Sequence, residues 1–170
     1  MRGSGVAARA NPGQDGWVSR RAEIAMTPEE VDSYLAQART LILATIGPDG
    51  VPDPVGMWFV LRDGELWMRT YAKSQKVANV RRDPRVSILV EDGERYAELR
   101  GVQITGTLEI SDDIELICDI AAGLLVKYEG LDPVDVPAVR EAYRPTAVKQ
   151  AAMRLVPDRV VSWDHSKLVG

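Results

Sequence analysis

The chain of 170 residues has the size of one globular domain, and a hydrophobic fraction of 45% is enough for a substantial core. With 21 basic and 25 acidic residues, its net charge of −4 argues against a nucleic-acid binder that relies on bulk positive charge. One cysteine and one histidine exclude an internal disulfide, a multi-cysteine metal site and a two-histidine zinc site. No apolar run is long enough for a signal peptide or a membrane span, so we expect a cytoplasmic protein.

The N-terminal segment, residues 1–25, has neither helical nor strand periodicity, and we expect a flexible arm before a single domain over residues 26–170. A helix is predicted at the start of this domain. Thr27 is suited to cap it, Pro28 suits its first position, and Glu30 completes a capping box.

Beyond this helix, most of the chain has the period of strands joined by short turns. Strands are predicted over residues 41–46, 51–61, 66–70, 86–90, 97–110, 148–156 and 159–163. Helices are predicted over residues 74–82 and 111–128, with a short one starting at Asp135. Pro52 and Pro54 indicate an edge strand or a bulge, and Asp63-Gly64 a tight hairpin. About seven strands in sequential hairpins predict an α+β fold, a small antiparallel β-barrel with helices packed outside.

The sequence carries no recognisable catalytic side-chain motif. It has no Walker-type phosphate loop and no Gly-x-Gly-x-x-Gly after a strand. His165, the one candidate base for a nucleophilic triad, lies near the end of the chain. Cys118 stands among apolar residues of a predicted helix, as is typical of a buried structural cysteine. We therefore assign no catalytic side chain and no metal site.

The segment of residues 69–79 departs from what helix stability favours. It joins a strand to a helix and surrounds the helix N-terminus with three cations and two hydroxyl groups: Arg69, Lys73, Lys76, Thr70 and Ser74. Cations are misplaced there because the amino end of a helix already carries positive partial charge. A bound anion removes this conflict, since free backbone N–H groups favour phosphate. The segment predicts a phosphate cradle, and the alternative is a solvated loop with chance lysines.

The tripeptide Met57-Trp58-Phe59 lies on the strand predicted to pair with residues 66–70. Strand alternation places Trp58 on the opposite face from Met57 and Phe59. An aromatic side chain near a phosphate cradle can form the wall for a flat ring system, although packing in the core is the more common role of a single tryptophan.

Three motifs follow one another in an order that resembles the pyridoxamine 5′-phosphate oxidase-like split β-barrel proteins: Trp58-Phe59, the hairpin of residues 63–67, and residues 74–86. The resemblance covers about residues 27–168, and the pattern Lys-x-x-Asn-x-x-x-Asp-Pro is its most specific part. Within this family the chain looks most similar to the flavin/deazaflavin oxidoreductases that use coenzyme F-420. Residues 160–164 resemble the last strand of that branch.

The resemblance implies a homodimeric split β-barrel of the FMN-binding type, with two cofactor sites in grooves between the subunits. The cofactor phosphate then lies on the turn after the third strand, and Met57 and Trp58 lie along the ring or the substrate. The remaining positions assigned to the cofactor are Thr70, Ser74, Lys76 and Asn79, with Arg69 and Lys73 beside them. The implied chemistry is hydride transfer from the deazaflavin coenzyme F-420 to a small organic acceptor, so the cofactor carries the reaction.

One departure and two alternatives accompany this interpretation. Pyridoxamine phosphate oxidases proper have a Ser-Arg-Lys triplet where this chain has Ser74-Gln75-Lys76, which argues against oxidation of vitamin B6. The first alternative is an FMN-binding oxidase or electron-transfer protein of the same fold. The second is a barrel that binds a cofactor or porphyrin-type ligand without turnover. The substrate is not identified by any motif.

Overall fold

The computed structural model describes residues 18–168 of the chain. Its strands are β1 (Leu41–Ile46), β2 (Pro52–Met57), β3 (Val60–Arg62), β4 (Glu65–Tyr71), β5 (Arg85–Asp92), β6 (Arg100–Ser111) and β7 (Gln150–Asp164). Its α-helices are α1 (Val18–Ile24), α2 (Pro28–Gln37), α3 (Gln75–Arg82), α4 (Ile114–Glu129) and α5 (Val136–Ala147). In this part of the chain, no helix is both long and apolar enough to cross a membrane.

All strands belong to one curled antiparallel sheet with the order β2-β1-β5-β6-β7-β4-β3. The two edge strands are neighbours in the chain, and the sheet stays open between them. β3 is only three residues long and pairs with residues 65–67 of β4. Residues 68–71 of β4 therefore have no strand partner on that side. The predicted α+β split β-barrel with flanking helices is confirmed.

Three predictions made from short stretches of sequence, a helix cap, a hairpin turn and an edge strand, are confirmed. Thr27 and Glu30 form the predicted capping box at the start of α2. The hairpin between β3 and β4 turns at Asp63 and Gly64, which both have positive φ. β2, which carries the two prolines, is an edge strand as predicted.

The predicted strand over residues 51–61 is wrong in one respect, because the structure divides it into β2 and β3. Phe59 and Val60 are both buried. Phe59 packs inside the barrel and Val60 packs against α4, so the alternation of side chains is kept. The division arises because the chain changes its partner strand: residues 52–57 pair with β1, whereas residues 60–62 pair with β4.

The two strands predicted over residues 148–156 and 159–163 are one continuous strand, β7. Pro157-Asp158 does not form a turn. It forms a bulge opposite Thr105 and Gly106 of β6, where the register shifts by one residue. A bulge tolerates a proline, which has no N–H to donate to a ladder, and it leaves both halves of the strand paired with β6.

Two helices extend further than the sequence indicates. α5 begins where predicted but continues for 12 residues, to Ala147. α1 occupies Val18–Ile24, inside the segment predicted as a flexible arm. The rest of that arm, residues 1–17, lies outside the described residues.

The core has two parts. The barrel interior is filled by apolar side chains from the strands and α2, among them Leu35, Leu43, Phe59, Met68, Ile88 and Ile104. A second cluster lies between the sheet and α4 and contains Cys118, which is fully buried. Leu66 and Met68 of β4 face the first cluster and Trp67 faces the second, so this strand is packed on both faces before it reaches the turn to α3.

Candidate functional site

The turn between β4 and α3 brings three of the predicted side chains together. The Nζ of Lys76 lies 3.4 Å from the Oγ1 of Thr70, and this oxygen lies 3.5 Å from the Oγ of Ser74. Ser74 is the N-cap residue of α3, but its side chain makes no capping hydrogen bond. Two hydroxyl groups and an ammonium group therefore converge at the N-terminus of α3.

The first turn of α3 has free hydrogen-bond donors. The N–H groups of Val77 and Ala78 both donate to the carbonyl oxygen of Ser74, at 3.1 Å. Within the part of the chain that the structure describes, no hydrogen bond uses the N–H of Gln75 or Lys76. Unpaired N–H groups at the positive end of a helix dipole are suited to bind a phosphate group.

The cations of this turn have no acidic partner within residues 18–168. By contrast, Arg81, near the other end of α3, forms a salt bridge with Asp112, with 3.5 Å between Nη2 and Oδ2. Arg69, Lys73 and Lys76 make no such pair. The local excess of positive charge favours an anionic ligand.

A cleft of about 330 Å³ opens beside this turn, along the free edge of β4. It is lined by Gly56, Met57, Trp58, Arg69, Thr70, Tyr71, Leu124 and Gln150. Four of these residues were predicted from the sequence. Leu124 and Gln150 were missed because they come from α4 and β7, and no local pattern connects them to the turn.

Arg69 lines this cleft and is half-buried. Its Nη1 is 3.4 Å from the Oε1 of Gln150, and its guanidinium group lies 4.9 Å from the ring centre of Tyr143. Burial raises the pKa of the Tyr143 hydroxyl, so this ring is neutral at physiological pH and is a cation–π partner only. The Nε of Arg69 is buried without a hydrogen-bond partner. An unpaired buried donor on a cation is costly, and an anionic group beside it offsets that cost.

The facing of the aromatic tripeptide agrees with the predicted alternation. Met57 and Phe59 point into the core, whereas Trp58 is 49% exposed. Trp58 stacks on Tyr128 of α4, with ring centres 4.4 Å apart and planes 5° from parallel. The indole thus lies at the rim of the cleft with its other face free of protein stacking partners in the described residues.

Four predicted residues do not line the cleft. Ser74 and Lys76 lie beside it, next to Thr70. Lys73 is exposed on the turn. Asn79 is fully buried, where its Nδ2 donates to Thr45 at 2.9 Å and to Asp53 at 3.2 Å, and its Oδ1 accepts from Gln75 at 2.9 Å. Asn79 therefore anchors α3 to β1 and β2, and its amide is already satisfied.

His165, the one histidine of the chain, lies beyond the far end of β7. Its Nδ1 is 2.9 Å from the carbonyl oxygen of Tyr96, and its ring packs against that tyrosine. The cleft has no histidine in its lining. Within residues 18–168 no cluster of acidic, histidine or cysteine side chains is suited to hold a metal ion.

These contacts have the properties that a phosphorylated, planar cofactor requires. The N-terminus of α3 offers charge and hydrogen-bond donors to a phosphate, Arg69 has an unused donor, and Trp58 offers a flat apolar surface. The residues present therefore fit such a group.

Comparison with known proteins places the chain in a family. The model of the family described as pyridoxamine 5′-phosphate oxidase matches residues 27–164. The chain belongs to the pyridoxamine 5′-phosphate oxidase family. No match was found among curated proteins.

Solved structures of the pyridoxamine 5′-phosphate oxidase fold include several similar chains. The conserved hypothetical protein Rv2991 from Mycobacterium tuberculosis is 41% identical, with a TM-score of 0.79 over 88% of this chain and 91% of that chain. A protein described as an F420 reductase is 25% identical, with a TM-score of 0.58 over 76% and 94% of the two chains. HutZ, the heme storage protein from Vibrio cholerae, is 18% identical, with a TM-score of 0.58 over 79% and 95%, and shows the shared fold alone.

Proposed function

We propose that this protein is an oxidoreductase that binds the deazaflavin coenzyme F-420 and uses it for hydride transfer to a small organic acceptor. The observation that carries this proposal is the group of Thr70, Ser74 and Lys76 at the free N-terminus of α3, beside a cleft with Trp58 at its rim. The 25% identity to a protein described as an F420 reductase supports the deazaflavin.

Each part of the site then has its own role in binding the coenzyme. Lys76, Thr70 and Ser74 bind the phosphate together with the unpaired N–H groups of α3. Arg69 donates to an acceptor deeper in the cleft, and Trp58 orients the ring. When bound, the deazaflavin supplies the hydride. The protein holds ring and acceptor in contact and excludes water from between them.

Oxidation of pyridoxamine phosphate itself has little support in this chain, although the family is named for it. At the position of the arginine in the Ser-Arg-Lys triplet, Gln75 donates to Asn79 at 2.9 Å and so serves the attachment of α3. A neutral amide that is already hydrogen-bonded adds no charge to the cradle.

FMN is the alternative cofactor, because it presents the same tricyclic ring, ribityl chain and phosphate to the same contacts. Titration of the purified protein with FMN and with the deazaflavin coenzyme, followed by absorbance and fluorescence, compares the two directly. We expect tighter binding of the deazaflavin. Tighter binding of FMN would replace the deazaflavin assignment and keep the site.

The lysine of the cradle gives the sharpest test of the site. We expect Lys76→Ala to weaken cofactor binding by about 10- to 150-fold, which corresponds to the ~1.5–3 kcal/mol of a charged hydrogen bond. Lys73→Ala should have a smaller effect, because Lys73 is exposed and makes no contact with Thr70. Arg95→Ala, which removes an exposed charge in the loop before β6, is the control. A dissociation constant that Lys76→Ala leaves unchanged would remove Lys76 from the site.

Turnover separates an oxidoreductase from a barrel that only binds its ligand. The reduced deazaflavin coenzyme is mixed with the protein and with candidate acceptors, and its oxidation is followed by absorbance. We expect protein-dependent oxidation that requires an acceptor. Tight binding with no oxidation across chemically varied acceptors would favour the non-catalytic binder.

We also propose that the protein acts as a homodimer. A largely apolar groove of about 710 Å³ lies on the outer face of the sheet, across β1, β5, β6 and β7. Ile42 and Val156, on the same outer face, are 42% and 37% exposed. Exposed aliphatic side chains around an apolar groove are typical of a surface that another protein covers.

A further inference from the structure

Trp58 lies in a segment of the chain whose backbone is not part of the sheet. It stands in the two-residue gap between β2 and β3, where no ladder hydrogen bonds fix the backbone. A half-exposed indole outside a paired strand has alternative rotamers available in water. The side chain nevertheless lies flat at the rim of the cleft, so other contacts must hold it there.

Tyr128, near the end of α4, makes those contacts in two ways. Its ring stacks under the indole of Trp58, with centres 4.4 Å apart and planes 5° from parallel. Its hydroxyl donates to the carbonyl oxygen of Phe59 at 3.0 Å and accepts from the N–H of Phe59 at 3.1 Å. One side chain thus satisfies both backbone groups of the residue after Trp58 and supports the indole.

Tyr128 is itself held in place from the loop that follows α2. The Nη2 of Arg39 donates to the carbonyl oxygen of Tyr128 at 3.0 Å, and the guanidinium group lies 5.1 Å from the centre of the tyrosine ring. Burial raises the pKa of the Tyr128 hydroxyl, so the group keeps its proton at neutral pH and remains a donor to Phe59. The support of Trp58 therefore does not depend on a change of charge.

We infer that Tyr128 is a positioning residue: it holds Trp58 as the flat wall of the cleft against which a planar ring of the ligand stacks. Tyr128 touches Trp58 and does not line the cleft itself. The inference rests on the proposed function for the identity of the ligand and on the contacts above for the role of Tyr128.

A double-mutant cycle tests whether Tyr128 acts through Trp58. Tyr128→Phe keeps the ring and removes the hydroxyl. We expect it to weaken binding of the deazaflavin coenzyme or FMN by about threefold to tenfold, the usual value of one hydrogen bond, because Phe59 and the indole beside it lose the anchor of the hydroxyl. Trp58→Leu should weaken binding by a similar factor or more. In the Trp58→Leu background, Tyr128→Phe should have no further effect, since the two act as a unit. Equal effects of Tyr128→Phe in both backgrounds would overturn the inference.

The control for a general loss of stability is Tyr34→Phe. Tyr34 is also buried, and its hydroxyl also donates to a backbone carbonyl, that of Arg100 at 3.2 Å, away from the cleft. We expect it to lower stability by a similar amount and to leave ligand affinity unchanged. If Tyr34→Phe and Tyr128→Phe change affinity equally, the role of Tyr128 is structural only.

A ligand-free measurement separates failure of this inference from failure of the proposed function. The protein is labelled with 5-fluorotryptophan, and the resonance of Trp58 is assigned by its absence in Trp58→Phe. We expect one sharp resonance in the wild type and a shifted, broadened one in Tyr128→Phe. Arg39→Met, which leaves the hydroxyl in place, should change it in the same direction by less. An unchanged resonance in both variants would overturn the inference even if the wild type bound neither cofactor.

Discussion

The side chain of Lys127 has an unusual environment for a lysine. Its Nζ is buried without a hydrogen-bond partner and lies 3.8 Å from the ring centre of Phe59 and 5.4 Å from that of Tyr128. Burial, reinforced by the charge of Arg39, lowers the pKa of Lys127 to about 8. The cation–π contact with Phe59 offsets only part of the lost hydration.

This environment makes the stability of the protein depend on pH in a defined window. In the unfolded chain Lys127 keeps its proton up to a pKa of 10.5, whereas in the folded state it releases it near about 8. Between these values the unfolded state binds more protons, so the free energy of unfolding rises with pH. We expect Lys127→Met to lack this rise, so its advantage over the wild type is largest below about pH 8 and shrinks toward 10.5. Urea unfolding of both proteins at several pH values measures the difference.

The comparison needs a lysine without such burial. Lys149→Met, at an exposed position, is expected to change stability by the same amount at every pH. A pH-independent difference between Lys127→Met and the wild type would show that Lys127 titrates normally.

At the scale of elements, the bulge between β6 and β7 depends on the absence of a side chain at Gly106. A Cβ at Gly106 would lie 2.2 Å from the carbonyl oxygen of Val156 and 3.1 Å from the Cα of Pro157. Both neighbours are backbone atoms that cannot move without disturbing the ladder. The close approach of the two strands at the bulge therefore requires glycine.

We expect Gly106→Ala to lower the free energy of unfolding by about 1–3 kcal/mol, the usual cost of overpacking, in urea unfolding. Gly123→Ala is the matched control. A Cβ there meets only the side chain of Val60 at 3.6 Å, and alanine in the middle of α4 is favoured over glycine by about 1 kcal/mol. That variant should be as stable as the wild type or more so. Equal destabilisation by both changes would contradict this account of the bulge.

Whether an element could be predicted from the sequence depends on how far apart in the chain the residues that determine it lie. The capping box of α2, the Asp63-Gly64 turn and the first turn of α3 depend on residues a few positions apart, and the sequence predicts them. The division of residues 51–61 depends on a change of partner strand from β1 to β4, which is a tertiary fact. The continuity of β7 through Pro157 depends on the partner strand, so the dipeptide alone wrongly favoured a turn.

The candidate site divides in the same way. The cluster of Thr70, Ser74 and Lys76 was predictable, because strand end, turn and helix start are consecutive in the chain. Gln150 and Leu124 reach the cleft through sheet pairing and helix packing, which local patterns do not encode. Asn79 matched the family pattern, yet its side chain faces β1 and β2, since a motif does not specify where a side chain points.

For the whole molecule, the outer groove of the sheet gives a test of the proposed homodimer. Val156→Glu places a charge in that groove, and we expect it to convert the dimer to a monomer, because burying an unpaired carboxylate is costly. Sedimentation or light scattering during size-exclusion chromatography measures the mass. Val134→Glu, at a valine that is 76% exposed outside the groove, should leave the mass unchanged. A monomeric wild type, or a dimeric Val156→Glu, would contradict the proposal.

The brevity of β3 has a consequence for how this fold makes room for a ligand. Had β3 continued alongside residues 68–71 of β4, its backbone would cover the place where the cleft opens. The cleft therefore lies where a further strand would pair with β4. The backbone N–H and C=O groups on this edge of β4 have no strand partner and can hydrogen-bond to polar groups of a ligand. Lengthening β3 by a few residues would close the cleft and leave the cradle at α3 intact. The position at which β3 ends therefore sets the size of the ligand that the cleft can hold.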